Sequence, residues 1–240
     1  MAIYVTGDTH GIDDFCKIHI FAGEHPELTL ADTLLICGDC GVAWSDDTFI
    51  TNLKEYKNLP FTIAFVDGNH ENFDMLESFP VITWNGGKAH KIADNVFHLI
   101  RGEIFEIEGN RVFAFGGATS TDKNDRTTDV SWWERELPSY GDYDNALDNL
   151  ERYGFEVDYI ITHSCDEKAL YYPALRNVGK AQVVFPENRM LSNFEEMVKY
   201  KHWYFGHYHK DANVTDKKTV LLNQIIKLGD VVTKEGEKND

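Results

Sequence analysis

Five short apolar runs, each closing on a loop of Asp, Asn or His, constrain this chain more than any other feature. Residues 2–6 (AIYVT) lead into GDTHG, 33–37 (TLLIC) into GDCG, and 61–66 (FTIAFV) into DGNHE. Further on, 157–162 (VDYIIT) lead into HSCD and 202–205 (HWYF) into GHYH. Short β-branched and aromatic runs closed by glycine or polar turns read as buried strands. Helical patterns at about 12–23, 46–57 and 71–78 separate the early runs, so the front of the chain predicts right-handed strand–helix–strand crossovers. Between 81 and 115 the pattern changes to strands without helices (VITW, AHKI, VFHLI, EIFEI, RVFAF), with a hairpin at Glu108-Gly109-Asn110. A helix is expected at about 141–153, and NVTD-KKTVLLN reads as a second hairpin. The expected fold is α/β, in the form of an α+β sandwich: two mixed sheets packed face to face, flanked by helices, with the polar loops gathered at the strand ends. One domain is expected over 1–240, with a disordered tail at 233–240.

Composition narrows the function. A chain of 240 residues, 42% hydrophobic and 13% aromatic, can bury one sizeable core. It has no run of the roughly 20 apolar residues that span a bilayer. Its start, MAIYVTGDTHG, lacks the basic and apolar regions of a signal peptide. A soluble cytoplasmic protein with no membrane partner is expected. The formal charge of -17 argues against an extended nucleic-acid surface, although bound cations could draw in an anionic substrate locally. Cys37 and Cys40 form a C-x-x-C, which could be a redox pair or half of a zinc site. Cys37 ends an apolar run and no second such pair follows, so buried thiols are the simpler reading.

The loops carry ligand chemistry. They present Asp8 and His10, Asp39, Asn69 and His70, His163, and His207 and His209. Glycine precedes the polar residue directly at Gly7, Gly38, Gly68 and Gly206, where a tight turn and close backbone approach are needed. In extended backbone, residues i and i+2 point the same way, so Asp8 and His10 can face one ion. The same spacing relates His207 and His209, although a loop could divide them between two ions. Seven oxygen and nitrogen ligands exceed one tetrahedral site and suit two divalent ions with positions open to water and substrate. Carboxylate and imidazole without thiolate favour manganese, iron, zinc or nickel, with manganese foremost. Each motif alone is weak, but five in one chain are not an accident of composition. His19, His25, His90, His98 and His202 show no such grouping and read as ordinary surface or core residues.

As an ordered set, GDTH (7–10), GD (38–39), GNHE (68–71), THS (162–164) and GHYH (206–209) resemble the motifs of the calcineurin-like metallophosphoesterase superfamily, in particular its bacterial and phage-type members. The resemblance spans nearly the whole chain. It implies a β-sandwich flanked by helices and a dinuclear centre, with Asp8, His10 and His209 on the first metal, Asn69, His163 and His207 on the second, and Asp39 bridging both. It also implies a phosphomonoesterase or phosphodiesterase in which a metal-bridging hydroxide attacks phosphorus while His70, itself no ligand, assists the leaving oxygen. Glu71 is expected at the surface or behind the ligands, helping to open the next helix through its charge. Serine/threonine protein phosphatases of the superfamily carry G-D-x-x-D-R-G; GDCGVAW here lacks the second Asp and the Arg, which speaks against that subtype.

Substrate choice is expected to involve 116–139, GGATSTDKNDRTTDVSWWERELPS, read either as a functional loop over the site or as a surface crossover with one tryptophan in the core. Arg126 is the candidate replacement for the missing phosphate clamp, acting beside Asn69 and His70. Trp44, Trp132 and Trp133 read as structural rather than as stacking platforms, and Asn72 and Asp122 as possible pocket residues. The expected substrate is a small phosphate ester or nucleotide-like molecule. The competing readings are a noncatalytic protein-binding scaffold, which would not need to keep His70 and every ligand, and a nuclease acting on nucleic-acid ends, which would favour a basic groove.

Overall fold

The computed structural model describes residues 1–176 and 182–233; the tail expected over 233–240 lies, apart from Thr233, outside them. Apolar runs become strands wherever both of their faces can be covered. The first three are β1 (Ile3–Thr6), β2 (Thr33–Ile36) and β3 (Thr62–Phe65), joined through helices α1 (Cys16–Glu24) and α2 (Asp46–Lys57). Ser45 caps α2 by accepting from Thr48 N, and Asp46, Asp47, Lys54 and Lys57 match its dipole. Helix α3 (Phe73–Ser78) precedes β4 (Val81–Trp84), β5 (Gly87–Ala93), β6 (Val96–Leu99), β7 (Ile104–Ile107) and β8 (Asn110–Phe115). Two of the reversals here are two-residue turns with both φ angles positive: Asn85-Gly86 at 46° and 89°, and Glu108-Gly109 at 51° and 74°. The chain continues through α4 (Tyr140–Arg152), β9 (Tyr159–Thr162), α5 (Pro186–Met197), β10 (His202–Phe205), β11 (Ala212–Thr215), β12 (Lys218–Val220) and β13 (Ile226–Lys227).

The strands form two mixed sheets, ordered β13-β1-β2-β3-β6-β5-β4 and β11-β12-β10-β9-β8-β7. In each, four adjacent strands run parallel (β1, β2, β3, β6 and β12, β10, β9, β8) and the edges are antiparallel. Alternation along a strand sends successive side chains to opposite layers. In β2, Leu34 and Ile36 pack with Phe15, Ile18 and Tyr56 on the helical side, while Leu35 and Cys37 join the core between the sheets. In β10, Trp203 and Phe205 pack with Leu150, Leu191 and Phe194, while Tyr204 joins the inter-sheet core. The result is helices, sheet, sheet, helices, as the sequence predicts.

Most helices fall near their predicted positions. The exception is α5, which the sequence reading missed: Pro at its start and the apolar Val183-Val184-Phe185 before it obscure an amphipathic face carrying Leu191 and Phe194. No helix among the described residues is long and apolar enough to cross a membrane.

Candidate functional site

Parallel strands with one direction deliver their C-terminal loops to one edge. Loops following β1, β2 and β3 meet those following β9 and β10, so both sheets contribute. Backbone bonds fix the seam: Thr9 N and His10 N donate to Asp39 O at 3.0 and 2.8 Å, and Gly206 N donates to His163 O at 3.0 Å. Glycine is required where these loops approach ligand side chains. A Cβ at Gly68 would lie 2.1 Å from Asp39 Oδ1, and one at Gly206 would lie 2.3 Å from Asp8 Oδ1.

Asp39 stands in the middle. Its Oδ2 is 3.4 Å from His10 Nε2 and 3.3 Å from His163 Nε2, and its Oδ1 accepts from His70 N at 2.7 Å. Asp8, His10 and His209 offer ligand atoms that lie within 4.8 Å of one another. On the other side, His163 Nε2 is 3.2 Å from Asn69 Oδ1, and the rings of His163 and His207 are 4.9 Å apart. His163 Nδ1 donates to Cys37 O at 2.7 Å and His10 Nδ1 to Asp14 Oδ2 at 2.7 Å, so in both rings Nε2 is the atom left facing Asp39. His10, Asp39, His207 and His209 all have positive φ, of 43°, 49°, 65° and 49°. For residues with a Cβ this backbone is strained, at a cost on the order of 1–3 kcal/mol each, and such residues cluster at functional sites.

The electrostatics point to a missing positive charge. Asp8 and Asp39 are 0% and 1% exposed, and Asp8 Oδ2 is buried with no hydrogen-bond partner. Burial and the nearby Asp39 charge raise the Asp8 carboxyl. Burial also works against ionised Asp39, but His163 and His10 hold it well below the usual carboxylate range. Against the effect of burial, these carboxylates pull His163 up to about 10, and Asp39 and Asp14 pull His10 up to about 9. Burial, with His163 nearby, pushes His207 down to about 3. Among protein atoms alone, protons on His10 and His163 must neutralise this centre. Divalent cations would displace them and would satisfy Asp8 Oδ2, so the donor set fits such ions.

His70 also lies within ligand distance of His10 and Asp39, a grouping the sequence reading had not placed it in. Its other neighbour is Arg126, whose Nη2 donates to His70 Nε2 at 2.9 Å and whose Nη1 reaches Asn69 O at 3.4 Å. Arg126 is aligned by Asp122, which accepts from its Nε at 2.9 Å. Burial, partly opposed by Asp39 and assisted by Arg126, lowers the His70 pKa.

The 116–139 segment is bound to the site rather than merely crossing the surface. Ser120 Oγ accepts from Asn69 Nδ2 at 3.2 Å and donates to buried Glu136 at 2.7 Å, which orients the Asn69 oxygen toward His163. Trp133 is buried, with Nε1 donating to Asp74 at 2.9 Å. Asn72 caps α3 instead of facing a substrate.

Of the two places expected for Glu71, at the surface or behind the ligands, the structure has the second. Glu71 is fully buried and accepts from Cys40 N at 2.7 Å and Gly41 N at 3.3 Å, bracing the Asp39 loop. Sequence reasoning also missed Lys17, whose ammonium donates to Gly7 O at 3.1 Å, Asp8 O at 2.6 Å and Leu222 O. Ser120, Glu136 and Lys17 belong to no motif; only tertiary pairing reveals them.

The family model for calcineurin-like phosphoesterases matches residues 1–211. Among solved structures, the chain is similar to a phosphopantetheinyl hydrolase from Mycobacterium tuberculosis, at 15% identity over 92% of this chain and 88% of that one, with a TM-score of 0.40. No curated protein matches.

Proposed function

Because the chain belongs to the calcineurin-like phosphoesterase family, a family of phosphoester hydrolases, we propose that it hydrolyses a small phosphate ester at a centre of two divalent cations. Asp8, His10 and His209 would hold one cation, Asn69, His163 and His207 the other, and Asp39 both. The observation that carries this reading is the position of Asp39 Oδ2, at 3.4 and 3.3 Å from one imidazole of each set. Oxygen and imidazole donors without thiolate favour manganese, with iron, zinc or nickel as alternatives. When bound, the cations supply an activated water and neutralise phosphate oxygens.

The chain's own residues supply the rest. Arg126 draws in a phosphate oxygen with a guanidinium that already stands at the site. That oxygen takes over the donor now directed at His70 Nε2 and brings negative charge beside the ring, and both changes favour protonated His70. Water then adds to phosphorus as the ester P–O bond breaks, one of its protons passing to solvent, while the leaving oxygen takes its proton from His70 Nε2, which solvent restores. Ser120 and Glu136 keep the Asn69 amide turned so that its oxygen, not its nitrogen, faces the centre.

The test is hydrolysis of bis-p-nitrophenyl phosphate and p-nitrophenyl phosphate by metal-depleted protein, with manganese, nickel, zinc or magnesium added back. Turnover that returns with metal and is lost in His70→Ala supports the proposal, and the preferred substrate separates diesterase from monoesterase. Turnover that His70→Ala leaves unchanged would remove His70 from the mechanism.

A further inference from the structure

Beside the candidate centre lies a pocket of about 370 Å³, at the small end of the range for ligand sites. His10 and His70 form its inner wall, and Ile12, Asp13, Trp44 and Asn52 form the remainder together with Thr48 and Gly41. Asn52 is 4% exposed. Its Nδ2 donates to Gly41 O at 2.8 Å, but its Oδ1 is buried without any partner. A buried amide oxygen left unpaired is destabilising, so a lone acceptor lining a pocket marks a place for a ligand N–H or O–H. Trp44 is only partly buried, and its ring centroid is 5.6 Å from that of His70. It offers a flat apolar face next to the group that would protonate the leaving oxygen.

The charges lining the pocket restrict its occupant further. No Lys or Arg lines it among the described residues, and Asp13 does. A second phosphate would therefore be unwelcome there, whereas a neutral group rich in N–H donors would not. Since His70 lines the pocket, the leaving alcohol is the part of the substrate that enters it.

We propose that this pocket is a leaving-group subsite for a nucleoside: its base lies against Trp44 and donates an N–H to Asn52 Oδ1, while its ester oxygen faces His70. The inference rests on the phosphoesterase reading for which part of the substrate enters, but binding of the nucleoside itself can be measured separately. Stacking on one aromatic face tightens binding of any base by about tenfold or more, and a site built to bond a donor rejects the analogue that lacks it.

The experiment titrates the metal-loaded protein with adenosine, guanosine, cytidine and uridine, and with ribose and purine riboside as the forms lacking the ring and the exocyclic donor. Binding is read by calorimetry. At least one nucleoside is expected to bind tenfold or more tightly than ribose. If adenosine is the best ligand, purine riboside should lose about tenfold, and Trp44→Ala should lose at least as much. Asn52→Leu should abolish discrimination between donor-bearing and donor-less bases; should that variant fail to fold, the comparison of adenosine with purine riboside in the wild type carries the same information. Equal binding of ribose and all four nucleosides would overturn the subsite, as would nucleoside binding unaffected by Trp44→Ala. If p-nitrophenyl ester hydrolysis persists while nucleosides fail to bind, the subsite falls and the phosphoesterase stands. The reverse result would retain the pocket and remove the hydrolase.

Discussion

Two clusters of buried charge flank a single loop, Asp67–His70, and they are finished to different degrees. On one side, Asp67 is 1% exposed and fully engaged: Arg101 Nε donates to it at 2.9 Å, its Nη2 donates as well, and His98 Nε2 lies 3.1 Å away. The same Nη2 reaches Arg135 O at 2.8 Å and Glu136 O at 3.2 Å, Nη1 lies 3.5 Å from Asp142 Oδ2, and His98 meets His90 at 3.0 Å. None of these four residues has positive φ. On the other side, Asp8 Oδ2 has no hydrogen-bond partner among the described residues, with His209 Nε2 3.5 Å away, and four of the candidate ligands are in left-handed backbone. Self-sufficient ionic clusters serve the fold; a cluster that keeps an unpaired carboxylate oxygen and strained backbone is held open for something outside the chain.

The sharpest break in the comparison comes from removing one charge on each side. Asp39→Asn is expected to lower metal-dependent turnover by roughly a thousandfold or more, the scale seen when a group stabilising transition-state charge is lost. Its melting temperature without metal should fall only modestly, because His163 and His10 hold Asp39 ionised but can release their own protons once its charge is gone; a large drop in stability would make Asp39 a structural residue instead. Arg101→Leu should do the opposite. It leaves buried Asp67 with His98 in place of a full guanidinium partner and should cost about 3–5 kcal/mol in urea unfolding, while whatever fraction remains folded still binds metal.

Ser120→Ala sharpens the boundary between the two clusters. It frees the Asn69 amide to turn, so metal affinity or turnover should fall about 10–100-fold with little change in melting temperature. An unchanged metal affinity would show that Asn69 is held by something other than Ser120.

The smallest effect is in pH. Burial, with His98 nearby, lowers His90 to about 4, and burial lowers His202 to about 4. Both fall below the ordinary imidazole value, so on acidification the unfolded chain takes up protons first. Stability should be full above about pH 6.5, decline between 6.5 and 4, and gain no further penalty from these two below that. Over the first pH unit of that window each contributes a loss on the order of 1 kcal/mol, and His90→Gln should flatten the decline measured by chemical unfolding.

The ligand loops were legible because their chemistry is local: a strand, a glycine and a polar side chain within a few residues, repeated five times. Arg126 stands out in sequence only by residue type, and the structure places it beside His70 and Asn69. What was hidden depends on pairing at long range. Asp67 and Arg101 are 34 residues apart, Asn69 and Ser120 are 51 apart, and neither pair leaves a local pattern. For Glu71 the local pattern leaves two places open, at the surface or behind the ligands, and the backbone donors of Cys40 and Gly41 decide for the second. The Asn52 oxygen is a still weaker signal, because an unpaired atom is defined by what does not surround it.

Completion of the unfinished cluster by divalent cations can be measured by equilibrium dialysis of metal-depleted protein against manganese, followed by elemental analysis. Two ions per chain are expected in the wild type and at most one in Asp39→Asn at the same free concentration, with wild-type melting temperature rising as the ions bind. Wild-type protein that takes up no manganese, iron, zinc or nickel, and melts at the same temperature with and without them, would contradict it.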